Sequence, residues 1–98
     1  TQNYSIDGLN ILKTVQIAPY EAVLGGKKTF TAIDGSNISL NLKAGSQSGK
    51  KLRIPGKGFK DRRGTVGDLI VEIEIEVPER PSEKEINLYK ELQKLHEV

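Results

Sequence analysis

Three groups of residues in this sequence have types and spacings that could support chemistry. Glu72, Glu74 and Glu76 alternate with apolar residues, so on an extended strand their carboxylates form one row that could hold a hard cation. Residues 45–51 superficially resemble a phosphate-binding loop. Residues 50–63 hold seven basic residues and one acidic residue, a net charge of +6 that could contact phosphates.

Simpler interpretations are favoured for the first two of these groups. The glutamate row is typical of a solvated strand face beside basic neighbours. The 45–51 loop has three residues between its glycines instead of four, and Lys51 stands where Ser or Thr is needed.

The single histidine, His96, has no second ligand at metal-binding spacing. We therefore predict a protein that is not an enzyme, with no catalytic residue, no metal site and no cofactor.

Composition sets limits on the class of protein. Ninety-eight residues with a net charge of +2 predict one domain with a thin core. The sequence contains no cysteine, which excludes a disulfide framework, a thiol nucleophile and a zinc–thiolate site within it. No apolar run is long enough to span a membrane, so we expect no membrane association. The lack of cysteine suits a cytoplasmic location, which we predict.

The strongest structural pattern is the two-residue alternation over residues 68–77. From Leu69 onward the odd positions are all apolar, at Leu69, Val71, Ile73, Ile75 and Val77, while glutamates occupy even positions 72, 74 and 76, which predicts a half-buried β-strand. A single strand cannot bury its apolar face alone, so other segments must supply partner strands and a second layer.

The remaining segments supply those partners. Shorter alternating runs predict strands near residues 10–17, 27–33, 38–42 and 51–54, with a helical turn opened by Pro19 and closed by glycines. Four glycines and a proline in residues 55–67 predict a long, mobile, basic loop. The predicted fold is mainly β, with two small packed antiparallel sheets in a barrel-like or sandwich-like arrangement, a short helical turn and a C-terminal amphipathic helix. We divide the chain into three parts: an N-terminal tether (1–8), a β-rich module (9–79) and a C-terminal helix (80–98).

The C-terminal helix has a sequence-encoded start. Ser82 and Glu85 have the spacing of a capping box, which satisfies the first backbone N–H groups of a helix. Apolar residues then fall on about a third of the helix circumference, at Leu88, Tyr89, Leu92 and Leu95. This face can pack on its own domain or on the helix of a second copy.

Several motifs together resemble the C-terminal client-binding region of DnaJ-type co-chaperones. They are Ile17-Ala-Pro-Tyr-Glu-Ala-Val-Leu-Gly-Gly, the Asp34-Gly35 turn, Ala44-Gly-Ser-Gln-Ser-Gly, Gly49-Lys-Lys-Leu-Arg-Ile-Pro-Gly-Lys-Gly and Gly67-Asp-Leu-Ile-Val. In this family two such β modules occur in tandem. A following Pro81-Ser-Glu-Lys-Glu helix with a leucine stripe makes this copy similar to the second module with its dimerisation helix.

The resemblance implies a non-enzymatic fragment that binds unfolded or hydrophobic polypeptide segments and dimerises, assisting folding with a DnaK-type chaperone. The family's J-domain and its cysteine-rich zinc module are absent from these residues, so this chain alone is not expected to stimulate the ATPase of that chaperone. The client-binding candidates it implies are Val15, Ile17, Phe30 and Ile33. Lys27 and Lys28 resemble lysines that receive an acidic tail, although two exposed edge lysines also suppress aggregation. The dimerisation candidates are Leu88, Tyr89, Leu92 and Leu95.

Two other functions stay open. Non-specific DNA binding through the basic loop 50–63 is one, although that loop lacks a recognition helix or interleaved aromatic residues to read bases. The other is a purely structural role, in which the module dimerises two arms that bind clients elsewhere. Such a module would form a dimer that does not suppress aggregation.

Overall fold

The computed structural model describes residues 4–97, which fold into two packed β-sheets and two helices. The strands are β1 (Tyr4–Asp7), β2 (Asn10–Ile17), β3 (Gly26–Thr31), β4 (Asn37–Leu42), β5 (Lys51–Ile54) and β6 (Leu69–Ile75). The helices are α1 (Pro19–Leu24) and α2 (Glu83–Leu95). One sheet has the order β1-β2-β6-β5, and the other is the β3-β4 hairpin. The predicted fold class is confirmed, and over the described residues the sheets do not close into a barrel.

One strand pairing differs from the predicted antiparallel arrangement. β2 and β6 run parallel, with Ile11 opposite Leu69 and Ile17 opposite Ile75. A parallel pair needs a long crossover connection, and the segment from α1 through β5 provides it. β6 ends at Ile75 because its partner β2 ends there, so the predicted strand is two residues too long and Val77 is exposed.

The core lies between the two sheets. From the larger sheet it takes the inward residues of β2 and β6, with Val71 completely buried. From the hairpin it takes Ile38, Leu40 and Leu42, which alternate with exposed polar residues along β4. Ala22 of α1 covers one end. The two-residue period of both strands therefore places their apolar faces toward each other, as in other face-to-face sheet packings.

The N-terminal segment is more ordered than predicted. Residues 1–3 of the predicted tether lie outside the described residues, but Tyr4–Asp7 forms β1, antiparallel to β2. The Tyr4 hydroxyl donates a hydrogen bond to the carbonyl oxygen of Thr31, at 3.2 Å, and so links the two sheets. The prediction of an unpaired tether is wrong for residues 4–7, because four residues are enough to pair along the exposed edge of β2.

Lys13 breaks the apolar pattern of β2, and the structure explains its presence. Its ammonium nitrogen lies 4.1 Å from the centre of the Tyr4 ring and 5.6 Å from that of Phe30. An ammonium group over an aromatic face is attracted by the ring quadrupole, while the aliphatic stem packs against apolar neighbours. Lys13 therefore joins β1 to β3 across the side of the sandwich.

We expect Lys13→Met to lower the free energy of unfolding by about 1 kcal/mol, because methionine keeps the apolar stem but loses the charge over the two rings. Urea unfolding followed by circular dichroism measures this. Lys43→Met is the matched control, since Lys43 is exposed and lies outside both cation–π contacts. Equal stability of the two variants would show that the ring contacts contribute nothing.

The predicted loop 55–67 forms a short hairpin, which we call the basic arm (residues 55–67). Near its base the Gly58 N–H donates to the carbonyl oxygen of Gly67 and the Gly67 N–H donates to that of Phe59, while Lys60 pairs with Val66. The Asp61 carboxylate accepts the N–H groups of Arg63 and Thr65 at 2.9 and 2.8 Å, which closes the tip. The residues predicted to form a long loop are thus held by an isolated β-bridge and by turn hydrogen bonds.

α2 begins as the sequence predicts. The Glu85 N–H donates to the Ser82 hydroxyl at 3.1 Å, and the Ser82 N–H donates to the Glu85 carboxylate at 2.9 Å. None of the residues of α2 is buried. The helix is therefore well capped but leaves its apolar stripe largely exposed to solvent.

Candidate functional site

An apolar groove lies between α1 and α2. Its volume is about 440 Å³, and we call it the helix groove. One wall is formed by Tyr20, Val23 and Leu24, and the other by Leu88, Tyr89 and Leu92. These side chains are between 42% and 74% exposed, so the two walls face each other without closing on one another. The helix groove is an apolar surface that a further polypeptide element can fill.

One wall of this groove was predicted from the α2 sequence pattern, and the other wall was not predicted. Leu88, Tyr89 and Leu92 belong to the predicted dimerisation stripe, whereas Leu95 lies outside the groove lining and is 78% exposed. The α1 wall had a signal in the sequence, because Tyr20, Val23 and Leu24 have the i, i+3, i+4 spacing of one helix face. A six-residue helix gives too short a pattern for that spacing to stand out.

A second, smaller cavity opens at the other end of the sandwich, where β2 and β6 begin. We call it the end pocket, and its volume is about 100 Å³. Ile11 and Leu69, both buried, line it together with Tyr4, Ile33 and Phe59. Its charged lining residues are Asp34 and Lys57. A cavity of this size and lining suits one small apolar side chain.

The four predicted client-binding residues have different environments. Val15 and Ile17 are core residues, 6% and 2% exposed, so a client cannot reach them in this structure. Phe30 is partly buried, packs against the core and carries Lys13 over its ring. Ile33 is 51% exposed at the end pocket. Of the four, Ile33 is therefore the most accessible to a client, and a role in client binding stays a prediction.

The two predicted tail-binding lysines also differ. Lys27 is exposed on β3. The Lys28 ammonium lies 3.3 Å from a carboxylate oxygen of Glu21 in α1, and both side chains are partly buried. That ion pair connects the hairpin to α1, so Lys28 has a structural partner and is less available than Lys27 to an incoming carboxylate.

The seven basic residues of 50–63 separate into two groups. The first group is at β5, where Lys50 directly precedes the strand, Lys51 lies opposite Glu72 in the register of β5 and β6, and Arg53 donates to the Asp68 carboxylate at 2.5 Å. The other group is in the basic arm, at Lys57, Lys60, Arg62 and Arg63, and all four are exposed. Within residues 4–97 the ion pairs are Lys28–Glu21 and Arg53–Asp68, so the arm cations form none with described residues.

Two carboxylates near the arm have lowered pKa values. The Gly56 N–H, at 3.1 Å, and the Arg53 guanidinium hold the pKa of Asp68 below its usual value. Hydrogen bonds from the Ser36 hydroxyl and N–H lower the pKa of Asp34, and the charge of Lys57 adds to this effect. Both groups are therefore ionised at neutral pH. Asp68 fixes the base of the arm, while Asp34 places a negative charge at the end pocket.

The residues that the sequence offered as possible metal ligands, the glutamate row and His96, lie on exposed surfaces of the fold. Glu72 and Glu74 lie on the exposed face of β6, and His96 is the exposed residue that ends α2. Across residues 4–97 there is no grouping of three or more His, Cys, Asp or Glu side chains arranged to hold a metal ion. The two helices are both too short and too polar to cross a lipid bilayer.

A family model and several known proteins are similar to this chain over most of its length. The family described as "DnaJ C terminal domain" matches residues 1–78. A "Chaperone protein DnaJ" of Synechococcus elongatus is 37% identical over 95 residues, which are 97% of this chain and 33% of the relative. "Chaperone protein DnaJ 2" of Synechocystis is 38% identical over 91% of this chain and 29% of the relative. A "Curved DNA-binding protein" of Pseudomonas putida is 35% identical over 91% of this chain and 28% of the relative. The chain thus spans a third or less of the length of these relatives.

Proposed function

Because the chain belongs to the DnaJ C-terminal domain family, we propose that it is the part of a DnaJ-type co-chaperone that binds unfolded polypeptide and dimerises through α2. Its non-enzymatic character, its cytoplasmic location and its cooperation with a DnaK-type chaperone through a longer parent protein are parts of this proposal. The observation that supports it most is the open, apolar helix groove.

The helix groove supports dimerisation because its occupant must be apolar and elongated. Exposed apolar clusters of this kind are typical of interaction surfaces. The α2 stripe of a second copy has the required chemistry, with leucines at 88, 92 and 95. In a twofold dimer each copy would insert α2 toward the α1 wall of the other, so both grooves would be filled by one self-complementary contact.

Client binding would gain from this assembly. With the helix groove occupied by the second copy, each module still offers a small apolar feature at its surface, the end pocket with Ile33 at its rim. Weak contacts of this kind become effective when two are joined, because the second contact occurs at a high effective concentration. We therefore expect dimerisation to strengthen client binding.

Sedimentation equilibrium over a series of concentrations, combined with an aggregation assay on a thermally unfolded client protein, tests the proposal. We expect a dimer that dissociates on dilution and a chain that delays client aggregation in its dimeric range. A dimer that leaves aggregation unchanged would support the purely structural role. A strict monomer at every concentration would refute dimerisation.

DNA binding is a second candidate, favoured by the exposed cations of the basic arm and by the relatives named "Curved DNA-binding protein". Phosphate neutralisation alone gives non-specific affinity that falls steeply with salt. The aromatic residue of the arm, Phe59, is partly buried and packs against the core, which disfavours stacking on bases. We therefore favour a polypeptide ligand and treat duplex DNA as the competing outcome in the experiment below.

A further inference from the structure

The end pocket and the basic arm are parts of one surface. Lys57, Gly58 and Phe59 belong to the arm and also line the pocket. The arm then continues through Lys60 to its tip, where Arg62 and Arg63 are exposed. At about 3.3 Å per extended residue, the tip lies roughly 10 Å along the chain from Phe59. An apolar cavity is thus followed along the chain by three further exposed cations.

This combination points to one class of ligand. We propose that this surface binds extended polypeptide segments in which an aliphatic residue is separated by about two to four residues from a run of acidic residues on one side of it. The aliphatic side chain enters the end pocket, and the carboxylates meet the cations of the basic arm. The inference rests on the proposed client-binding function and specifies which segments this module selects.

The pocket determines the anchor residue. Its volume of about 100 Å³ is smaller than the ~150 Å³ of a cavity that accommodates benzene. A leucine, isoleucine or valine side chain therefore suits it better than an aromatic ring does. The buried floor residues Ile11 and Leu69 give that side chain apolar contacts, while the exposed rim at Ile33 lets it enter from solvent.

The charges determine the flanking residues and their direction. Lys57, Lys60, Arg62 and Arg63 face a single acid in the arm, Asp61, whose carboxylate already accepts two backbone N–H groups. The acid that lines the pocket is Asp34, on the side of the hairpin turn. An acidic segment is therefore attracted toward the arm and repelled from the turn, so its carboxylates follow the arm away from Asp34.

The neighbouring edge strand offers a backbone partner to such a segment. β1 is the outer strand of its sheet, so one side of its backbone has no strand partner in the described fold. Tyr4 of β1 lines the end pocket. Extended peptides commonly bind by adding to an exposed strand edge while alternate side chains enter pockets.

Fluorescence anisotropy on the full chain tests the proposal. The probe is a labelled Gly/Ser peptide with one leucine and a glutamate run on one side, made in both sequence orders. We expect one order to bind, and we expect replacement of the leucine by alanine to weaken binding about tenfold or more. Replacement of the glutamates by glutamine should weaken it by a similar factor and remove its salt dependence.

Protein variants locate the site. Ala32→Leu fills the pocket, and Ile33→Ser alters its exposed rim with little risk to folding; both should weaken binding. Arg62→Gln/Arg63→Gln should weaken only the probe with glutamates. Lys50→Gln/Lys51→Gln is the matched control, because it removes the same charge outside the basic arm and should leave the dissociation constant unchanged.

The outcomes separate this inference from the function on which it rests. If the chain suppresses client aggregation but does not bind the probe, or if the pocket and tip variants bind it as wild type does, the inference falls and the proposed function stands. If duplex DNA binds through the same arginines and the leucine has no effect, the arm is a phosphate site and the inference is wrong. If the chain neither suppresses aggregation nor binds the probe, both fall.

Discussion

Leu92→Asp is expected to convert the proposed dimer into a folded monomer. In the single chain Leu92 is 51% exposed, so a carboxylate there stays in water and costs the fold little. In the proposed dimer the same position lies in the helix groove, where an unpaired buried charge costs several kcal/mol. Sedimentation equilibrium measures the association, and the melting temperature reports the fold.

Two further variants test whether the loss of the dimer is specific to the helix groove. Ile86→Asp is the matched control, because Ile86 is an exposed apolar residue of α2 outside the groove lining, and it should leave the dimer intact. Val23→Asp changes the opposite wall, in α1, and should abolish the dimer as Leu92→Asp does. A Leu92→Asp chain that stays dimeric would refute the groove as the interface. An unfolded product would mean that α2 packs on its own module.

The strands were predictable because a period of two residues determines which side chains share a face. The alternation over residues 69–75 correctly identified Leu69, Val71 and Ile73 as core residues. Alternation does not identify the neighbouring strand, so the parallel pairing of β2 with β6 could not be predicted from it. β1 was missed since Tyr4–Asp7 is short and Ile6, its aliphatic residue, is 63% exposed.

The candidate sites were less predictable, because a site depends on which face remains open after packing. Val15 and Ile17 have the same residue types as a client-binding surface, yet the hairpin covers them. The end pocket combines residues from β1, β2, β6, the β3–β4 turn and the basic arm, which are distant in sequence. In contrast, the capping box and the α2 stripe are local patterns, and the structure bears out the cap at Ser82.

A second large effect, on stability, is expected when the glycines of the arm are replaced. These glycines also carry much of the resemblance to the family. Gly67 is buried, and its N–H donates to the carbonyl oxygen of Phe59 at 2.8 Å. A Cβ atom added at Gly67 would overlap the backbone carbonyl of Leu9, and one at Gly58 would overlap the same oxygen. Backbone atoms cannot rotate away as a flexible side chain can, so the strand or the arm would have to shift.

Gly67→Ala is therefore expected to lower the free energy of unfolding by about 2–4 kcal/mol, a large share of the stability of a domain of this size. Urea unfolding followed by circular dichroism measures the change. Gly8→Ala is the matched control in the adjacent turn, where φ is +63° and nothing lies within 4 Å of an added Cβ. It should cost only the left-handed backbone strain, about 1–2 kcal/mol.

Comparing the stabilities of Gly67→Ala and Gly8→Ala shows whether close packing requires glycine at position 67. If Gly67→Ala is clearly the more damaging, the arm needs glycine at this position so that its base can approach Leu9, and this glycine positions Phe59 and Lys57 beside the end pocket. If Gly67→Ala is as mild as Gly8→Ala, the Leu9 carbonyl can move aside at little cost. Close packing would then fail to explain why glycine occupies position 67.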